Sequence, residues 1–408
     1  MNESKEFLAG SKRIAFDVAH RNTIKFNISR YDTAVEKGMS RYKNLDFAKN
    51  AAAAIKRDVL ANWEKYLLEF EKNSSKNGSE VLWANTADDA RELIKQIVKE
   101  NKASLLVKSK SMTTEEIEFN ELAQHMGCES VETDLGEFIV QVAGEKPYHI
   151  VTPAMHKSKT DIANLFNKKF GTSPDSTPEE ITEYVRIKLR EKFCTADIGV
   201  TGANFLIADM GGISVTENEG NGLMTTAFPR IHIVIAGIEK LIPKFEQLGL
   251  FYPLLAAHGT GQQITAYNTV FSGPRKSDEA DGPEKMYVIL LNNKRTEVFA
   301  DKTAYESLAC IRCGACLNAC PVYKTIGGYV YNTTYSGPIG SVLTPFLRGF
   351  SDFSHLSYAS SLCGKCVEVC PVKIPLTNIL LANRQKAVAE HLRPASERIL
   401  MKGFSIIA

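Results

Sequence analysis

Cys310-Ile311-Arg312-Cys313-Gly314-Ala315-Cys316-Leu317-Asn318-Ala319-Cys320-Pro321 is the stretch on which the reading of this sequence turns. It is a C-x2-C-x2-C-x3-C-P run. Three thiolates at this spacing can wrap three corners of one cubane iron–sulfur cluster, while the fourth, ahead of a proline that turns the chain away, reaches a second cluster. Structural zinc sites use two separated cysteine pairs instead. A second run, Cys363-Gly364-Lys365-Cys366-Val367-Glu368-Val369-Cys370-Pro371, repeats the pattern with one cysteine missing, and the absent ligand falls at Ser360. Crossed ligation assigns Cys310, Cys313, Cys316 and Cys370 to cluster 1, and Cys320, Cys363 and Cys366 to cluster 2. Cluster 1 reads as [4Fe-4S]. Cluster 2, one ligand short, reads as [4Fe-4S] or [3Fe-4S]. Its open corner is left empty or is filled by Ser360, or by Cys128 or Cys194, the two cysteines outside the runs. The simpler reading of Cys128 and Cys194 is that of buried, inert thiols.

The 42 residues between the runs (321–362) are too many for a compact hairpin ferredoxin. They hold Gly337-Pro338-Ile339-Gly340 and the apolar stretch from Val342 to Phe350, which suits a helical di-cluster domain. Two clusters in one small domain read as an electron wire. Charge supports a separate module: residues 301–408 carry +5 and residues 1–300 carry −3. Arg312 and Lys365, each inside a cysteine run, are expected to stabilise the reduced clusters.

Upstream, strands and helices alternate. Val81–Ala84 and Ser104–Val107 read as strands, separated by a helix capped near Thr86. Thr114–Met126 reads as one helix; Glu129–Glu132, Phe138–Val142 and His149–Thr152 complete the first run. After a helix-rich stretch come strands at Phe205–Ala208, Gly212–Thr216, Ile231–Ala236, Thr269–Phe271 and Met286–Leu291. This alternation predicts an α/β domain with a largely parallel sheet. Helical patterning before it ends at Asn73-Ser74-Ser75-Lys76-Asn77-Gly78-Ser79, whose composition reads as a linker. The domains expected are an N-terminal helical segment (1–75), an α/β domain (76–299), a di-cluster domain (300–378) and a helical tail (379–408).

With 49 Lys+Arg against 47 Asp+Glu, the net charge of +2 gives no electrostatic reason to propose nucleic acid as a partner. No apolar run approaches the ~18 residues of a membrane span, and the charged start Met1-Asn2-Glu3-Ser4-Lys5-Glu6 lacks the core of a secretory signal. A cytoplasmic location without a transmembrane segment is expected; peripheral membrane contact is compatible with it.

Weaker motifs invite two readings each. His258-Gly259-Thr260-Gly261-Gln262-Gln263 is a phosphate cradle or an ordinary turn. Lys108-Ser109-Lys110-Ser111 is an anion site or a plain helix cap. Glu217-Asn218-Glu219-Gly220-Asn221 is a hairpin turn or faces a crevice at the strand ends. Lys110, Ser111, Glu217, Asn218 and Glu219 are the candidates if the α/β domain binds a substrate; spacing alone names no catalytic pair.

Taken with Lys110-Ser111-Met112, Glu132-Thr133-Asp134-Leu135-Gly136-Glu137, Thr201–Asp209, Thr216–Asn221, Pro229–His232 and Gly237–Lys240, the two cysteine runs make the chain resemble the iron–sulfur component of bacterial L-lactate utilisation (lactate oxidation) systems over about residues 40–385. The resemblance implies a lactate-utilisation α/β domain similar to sugar-phosphate isomerases and CoA transferases, followed by a di-cluster ferredoxin-type domain. It also implies electron transfer in the oxidation of L-lactate to pyruvate, as a subunit of an oxidoreductase complex with two other lactate-utilisation subunits; the electron acceptor stays unnamed. Chains of this kind continue into a longer C-terminal segment, whereas this one stops at Ala408. The alternative is that the α/β domain is itself a substrate-binding catalytic domain, with the clusters as its electron outlet.

Overall fold

The computed structural model describes residues 3–393 together with Glu397 and Ile399. Of the expected tail (379–408), the residues from 394 onward other than Glu397 and Ile399 lie outside the described residues. Among the described residues ten strands are present: β1 (Glu80–Ala84), β2 (Leu105–Lys108), β3 (Glu129–Glu132), β4 (Ile198–Thr201), β5 (Phe205–Ile207), β6 (Gly212–Glu217), β7 (Ile231–Gly237), β8 (Leu241–Ile242), β9 (Tyr267–Phe271) and β10 (Lys285–Leu291). Six form one parallel sheet in the order β1-β10-β7-β4-β2-β3. The other four form a smaller mixed sheet, β8-β5-β6-β9.

The sequence dictates the large sheet through burial. A parallel strand covered on both faces must be apolar throughout, and β7 is buried at all seven positions. Its alternate residues face different cores. Ile231, Ile233 and Ile235 pack with Ile94 and Ile97 of the helix Ala87–Glu100, whereas Val234 and Ala236 join a core shared with the N-terminal helices and the cysteine-bearing domain. That second core welds the domains together.

Four helices precede the sheets: α1 (Glu3–Phe16), α2 (Val18–Met39), α3 (Leu45–Ala61) and α4 (Trp63–Lys76). They brace both other parts of the molecule. From α3, the buried Lys56 Nζ donates to the carbonyls of Glu239 (2.8 Å) and Leu241 (2.9 Å), while Lys49 Nζ donates to that of Glu368 (2.6 Å). From α4, Trp63 Nε1 donates to Ile238 O at 2.9 Å.

Several expectations need correction. Residues 73–76 are not linker but the last turn of α4, with Ser74 buried and Asn73 donating to Ala208 O at 2.9 Å. Phe138–Val142 lies in a helix, Leu135–Ala143, because Asp134 caps it and its apolar face packs on Val107 and Val131. His149–Thr152 is irregular. The helix expected over Thr114–Met126 is two, Met112–Glu116 and Phe119–His125, broken where Glu118 turns left-handed at φ 55°. The central strand β4 went unread. His258–Gly259 ends the helix Leu248–Gly259, and Gly261 (φ 74°) lies so close to the backbone of Ala34 in α2 that any side chain would collide.

Candidate iron–sulfur centres and the adjoining cavity

The two cysteine runs have one local fold, repeated at an offset of fifty residues. Each begins after a 3-10 turn, Ala304–Ala309 and Ser354–Tyr358. Arg312 and Leu362 adopt left-handed backbone (φ 60° and 56°), as do Gly314 and Gly364 (both 80°), which open the short helices Ala315–Ala319 and Lys365–Glu368. The donors repeat too. Amides of Ala315 and Lys365 point at Cys313 and Cys363, and those of Val322 and Val372 at Cys320 and Cys370. In the first run the Arg312 amide donates to Cys310 Sγ at 3.4 Å; in the second, the Leu362 amide donates to Ser360 Oγ at 3.1 Å. Ser360 therefore holds the place of Cys310.

The fold sorts the thiols into two groups. Cys310, Cys313, Cys316 and Cys370 line one small apolar cavity. Cys320, Cys363 and Cys366 lie within electrostatic reach of one another. Burial pushes the thiols up, with neighbouring sulfurs adding to it: Cys366 and Cys370 sit at about 11, and Cys316 is raised as well. Exposed Cys363 is instead lowered, by the Lys365 amide and then the Ser361 hydroxyl. Crowded thiols aimed at by backbone N–H groups are a fit for cationic iron, which takes thiolate and releases the proton.

Arg312 supplies a further test of that fit. Its guanidinium is buried, stacks on Tyr335 at 4.4 Å and pairs with Glu239 at 3.3 Å, yet Nη1 has no acceptor among the described residues. Its electrostatic neighbour is Cys310. An anionic cluster on Cys310 is the kind of acceptor this donor lacks. Lys365, by contrast, is exposed and pairs with Glu368 at 2.8 Å. Only one of the two cations expected to tune a cluster is placed in a desolvated setting.

Cys128 and Cys194 stand apart. Cys128 immediately precedes β3 and touches Ala103 O at 3.4 Å; Cys194, exposed, lies near the end of the helix Pro178–Thr195 that leads into β4. Both mark the amino-terminal edge of the parallel sheet. The cysteine-bearing domain docks at the opposite, carboxyl-terminal edge, where β7 runs into Glu239.

At that carboxyl edge an ion-pair network joins the domains. Glu239 pairs with Arg295 (2.5 Å) and Arg312, and Arg295 pairs with Glu116 at 2.9 Å; the side chains of all four are more than nine-tenths buried. Burial alone would raise the Glu239 carboxyl, but Arg295 and Arg312 outweigh it and hold it at about 2. Beside the network opens a cavity of about 390 Å³. Ser109, Lys110, Ser111, Glu217, Asn218 and Glu219 line it, so the polar segments singled out from sequence converge on one crevice at strand ends. Ser111 caps the helix Met112–Glu116, and Lys110 Nζ reaches Val151 O (2.9 Å) and Asp134 (3.5 Å). Burial, then Asp134, raises Glu219 to about 7. Arg312, Cys313 and Tyr335 form the wall toward the cysteines.

Lys240, which also lines the cavity, was missed by sequence reasoning. Its signal was a charged Glu-Lys doublet directly after the apolar run of β7, at the end of a buried parallel strand. No described helix is long and apolar enough to cross a membrane.

Comparison with known proteins agrees with this division. Residues 67–291 match the LUD domain and residues 306–374 the 4Fe-4S dicluster domain. Lactate utilization protein B of Bacillus licheniformis is 45% identical over 361 residues, covering 88% of this chain and 75% of that protein. The same-named proteins of Bacillus cereus and Macrococcus caseolyticus are 44% and 45% identical, each over 86% of this chain and 74% of theirs. A solved DUF162-family protein of Deinococcus radiodurans aligns at 12% identity with a TM-score of 0.31, over 56% of this chain and 98% of its own. An α/β domain matched through its central strands, a dicluster domain holding both cysteine runs, and near-half identity along most of the length place this chain in the lactate utilization protein B family of iron–sulfur proteins.

Proposed function

We propose that this chain is the electron-transfer subunit of a complex that oxidises L-lactate to pyruvate, working in the cytoplasm with two other lactate-utilisation subunits. The oxidation releases two electrons and two protons, and each cluster, when bound, carries one electron at a time. In this reading Cys310, Cys313, Cys316 and Cys370 hold cluster 1, a [4Fe-4S] centre. Cys320, Cys363 and Cys366 hold cluster 2, with Ser360 in the fourth position, as its match to Cys310 suggests. The observation that carries the reading is the paired but unequal surroundings of the two thiol groups. Cluster 1 would be sealed against the α/β domain, and cluster 2 would lie beside exposed Cys363, where a partner can meet it.

The test is anaerobic electron paramagnetic resonance of the cluster-loaded chain, mixed with L-lactate in the presence and absence of its partner subunits. Cluster signals that appear only with the partners present support the relay. Reduction by lactate in the chain alone favours the second reading, in which the α/β domain is catalytic; the cavity against Cys313 is the observation in its favour. Clusters that stay oxidised in both mixtures overturn both readings.

A further inference from the structure

The cations gathered around the cluster 1 cysteines come from three parts of the chain. Lys49 and Lys56, about two helical turns apart, share a face of α3. Both are buried, an unusual setting for lysine. Lys49 Nζ donates to Glu368 O at 2.6 Å, inside the second cysteine run, and has Cys370 as an electrostatic neighbour. Lys56 Nζ is held by the carbonyls of Glu239 and Leu241, and Cys310 is among its neighbours. Lys240, buried directly after β7, and Arg312 within the first run also have Cys310 as a neighbour.

The carboxylate in their midst does not balance them. Glu239 pairs with Arg295 and Arg312, and Arg295 is itself matched by Glu116. Lys49 and Lys56 end on neutral carbonyls, which solvate a cation without cancelling its charge. Like charge buried without compensation is costly. A cubane on four thiolates is a dianion when oxidised and a trianion when reduced, so one held by Cys310 and Cys370 relieves that cost, and more so once reduced. The cations near the other cysteine group are of a different kind. Lys324 and Lys365 are solvent-facing and already paired, with Asp32 and Glu368, so water screens them.

We infer that Lys49, Lys56 and Lys240, together with Arg312, form a buried cationic housing that raises the reduction potential of cluster 1 above that of cluster 2. The transferred electron then comes to rest on the inner cluster, at the end of the wire where Cys313 borders the α/β cavity. The housing gives the N-terminal helices an electronic task as well as a bracing one, since Lys49 and Lys56 act on the ligand cysteines through charge. The inference rests on the ligand sets proposed above and is independent of which subunit meets lactate.

The experiment is a potentiometric titration of the anaerobic, cluster-loaded full-length chain, followed by electron paramagnetic resonance with iron quantitation. The signal altered by Ser360→Cys marks cluster 2. In the parent, cluster 1 is expected to reduce first, its one-electron equilibrium constant at least tenfold above that of cluster 2, or about 59 mV. Lys49→Met and Lys240→Met keep the apolar stem and lose the charge. Each should retain the parent's iron, lower the cluster 1 constant at least tenfold, and leave the cluster 2 constant within a few-fold of the parent. Lys49→Arg, which restores the charge, should hold the cluster 1 constant within a few-fold of the parent. The housing is overturned if cluster 2 reduces first, if both lysine variants leave the cluster 1 potential in place, or if they move the two potentials alike. Unmoved potentials in a chain that still takes electrons from its partner subunits overturn the housing and leave the relay standing. A parent chain that holds a single cluster overturns the ligand sets and the housing with them.

Discussion

The first and second cysteine runs share a backbone and differ in almost everything around it. The first is wrapped by the α/β domain and by α3. Arg312, within it, is pinned by Glu239 and Tyr335, and its thiols are buried or half-buried. The second also has two buried thiols, Cys366 and Cys370, and is reached by Lys49 of α3, but it opens outward at one end, with Cys363 exposed, Lys365 occupied by a solvent-facing Glu368, and a serine where the first has Cys310. A duplicated scaffold has thus been set in two dielectric environments. A buried centre feels nearby charge strongly and a surface one weakly. The difference suggests an inner centre tuned by the protein and an outer one open to exchange.

That contrast can be broken most drastically by removing ligands. Cys370→Ser should abolish cluster 1 although Cys370 belongs to the second run, and Cys320→Ser should abolish cluster 2 although it belongs to the first. Iron analysis with resonance spectra of each variant checks this, and uncrossed losses would refute the ligand sets. Next in size is Glu239→Gln, which leaves Arg295 and Arg312 facing each other without their shared carboxylate. A loss of about 3–5 kcal/mol in denaturant unfolding of the loaded protein is expected for a broken buried pair. Exposed Glu368→Gln should change stability by no more than about 1 kcal/mol.

Smaller effects sharpen the comparison. Arg312→Gln should lower one midpoint potential by roughly 50–100 mV, since about 59 mV corresponds to a tenfold change in a one-electron equilibrium. Lys365→Gln should move the other by roughly 20 mV or less, because its charge is screened. Equal shifts would erase the distinction between inner and outer centres. Ser360→Ala should cost cluster 2 one iron and produce a three-iron signal, whereas Ser360→Cys should retain the iron.

The cysteine grouping was legible in the sequence because ligand spacing is local and the repeat offset can be counted. Most strands of the parallel sheet were legible for the same reason, as continuous apolar runs bounded by polar residues. Ile198-Gly199-Val200-Thr201 was too short to stand out. Phe138-Ile139-Val140-Gln141-Val142 looked extended because β-branched residues fit both states, and the decision lay with the Asp134 cap and a packing partner distant in sequence. The cavity was least legible. Its walls include residues 109–111, 217–219, 240 and 312–313, and only the tertiary fold brings Lys240 and Cys313 to one cavity.

The central claim is that one small domain holds two clusters on crossed ligands, and iron quantitation with spin counting on the anaerobic protein tests it most directly. The account predicts about eight iron atoms per chain and, on full reduction, two interacting paramagnetic centres. About four iron atoms with a single, non-interacting centre would contradict it.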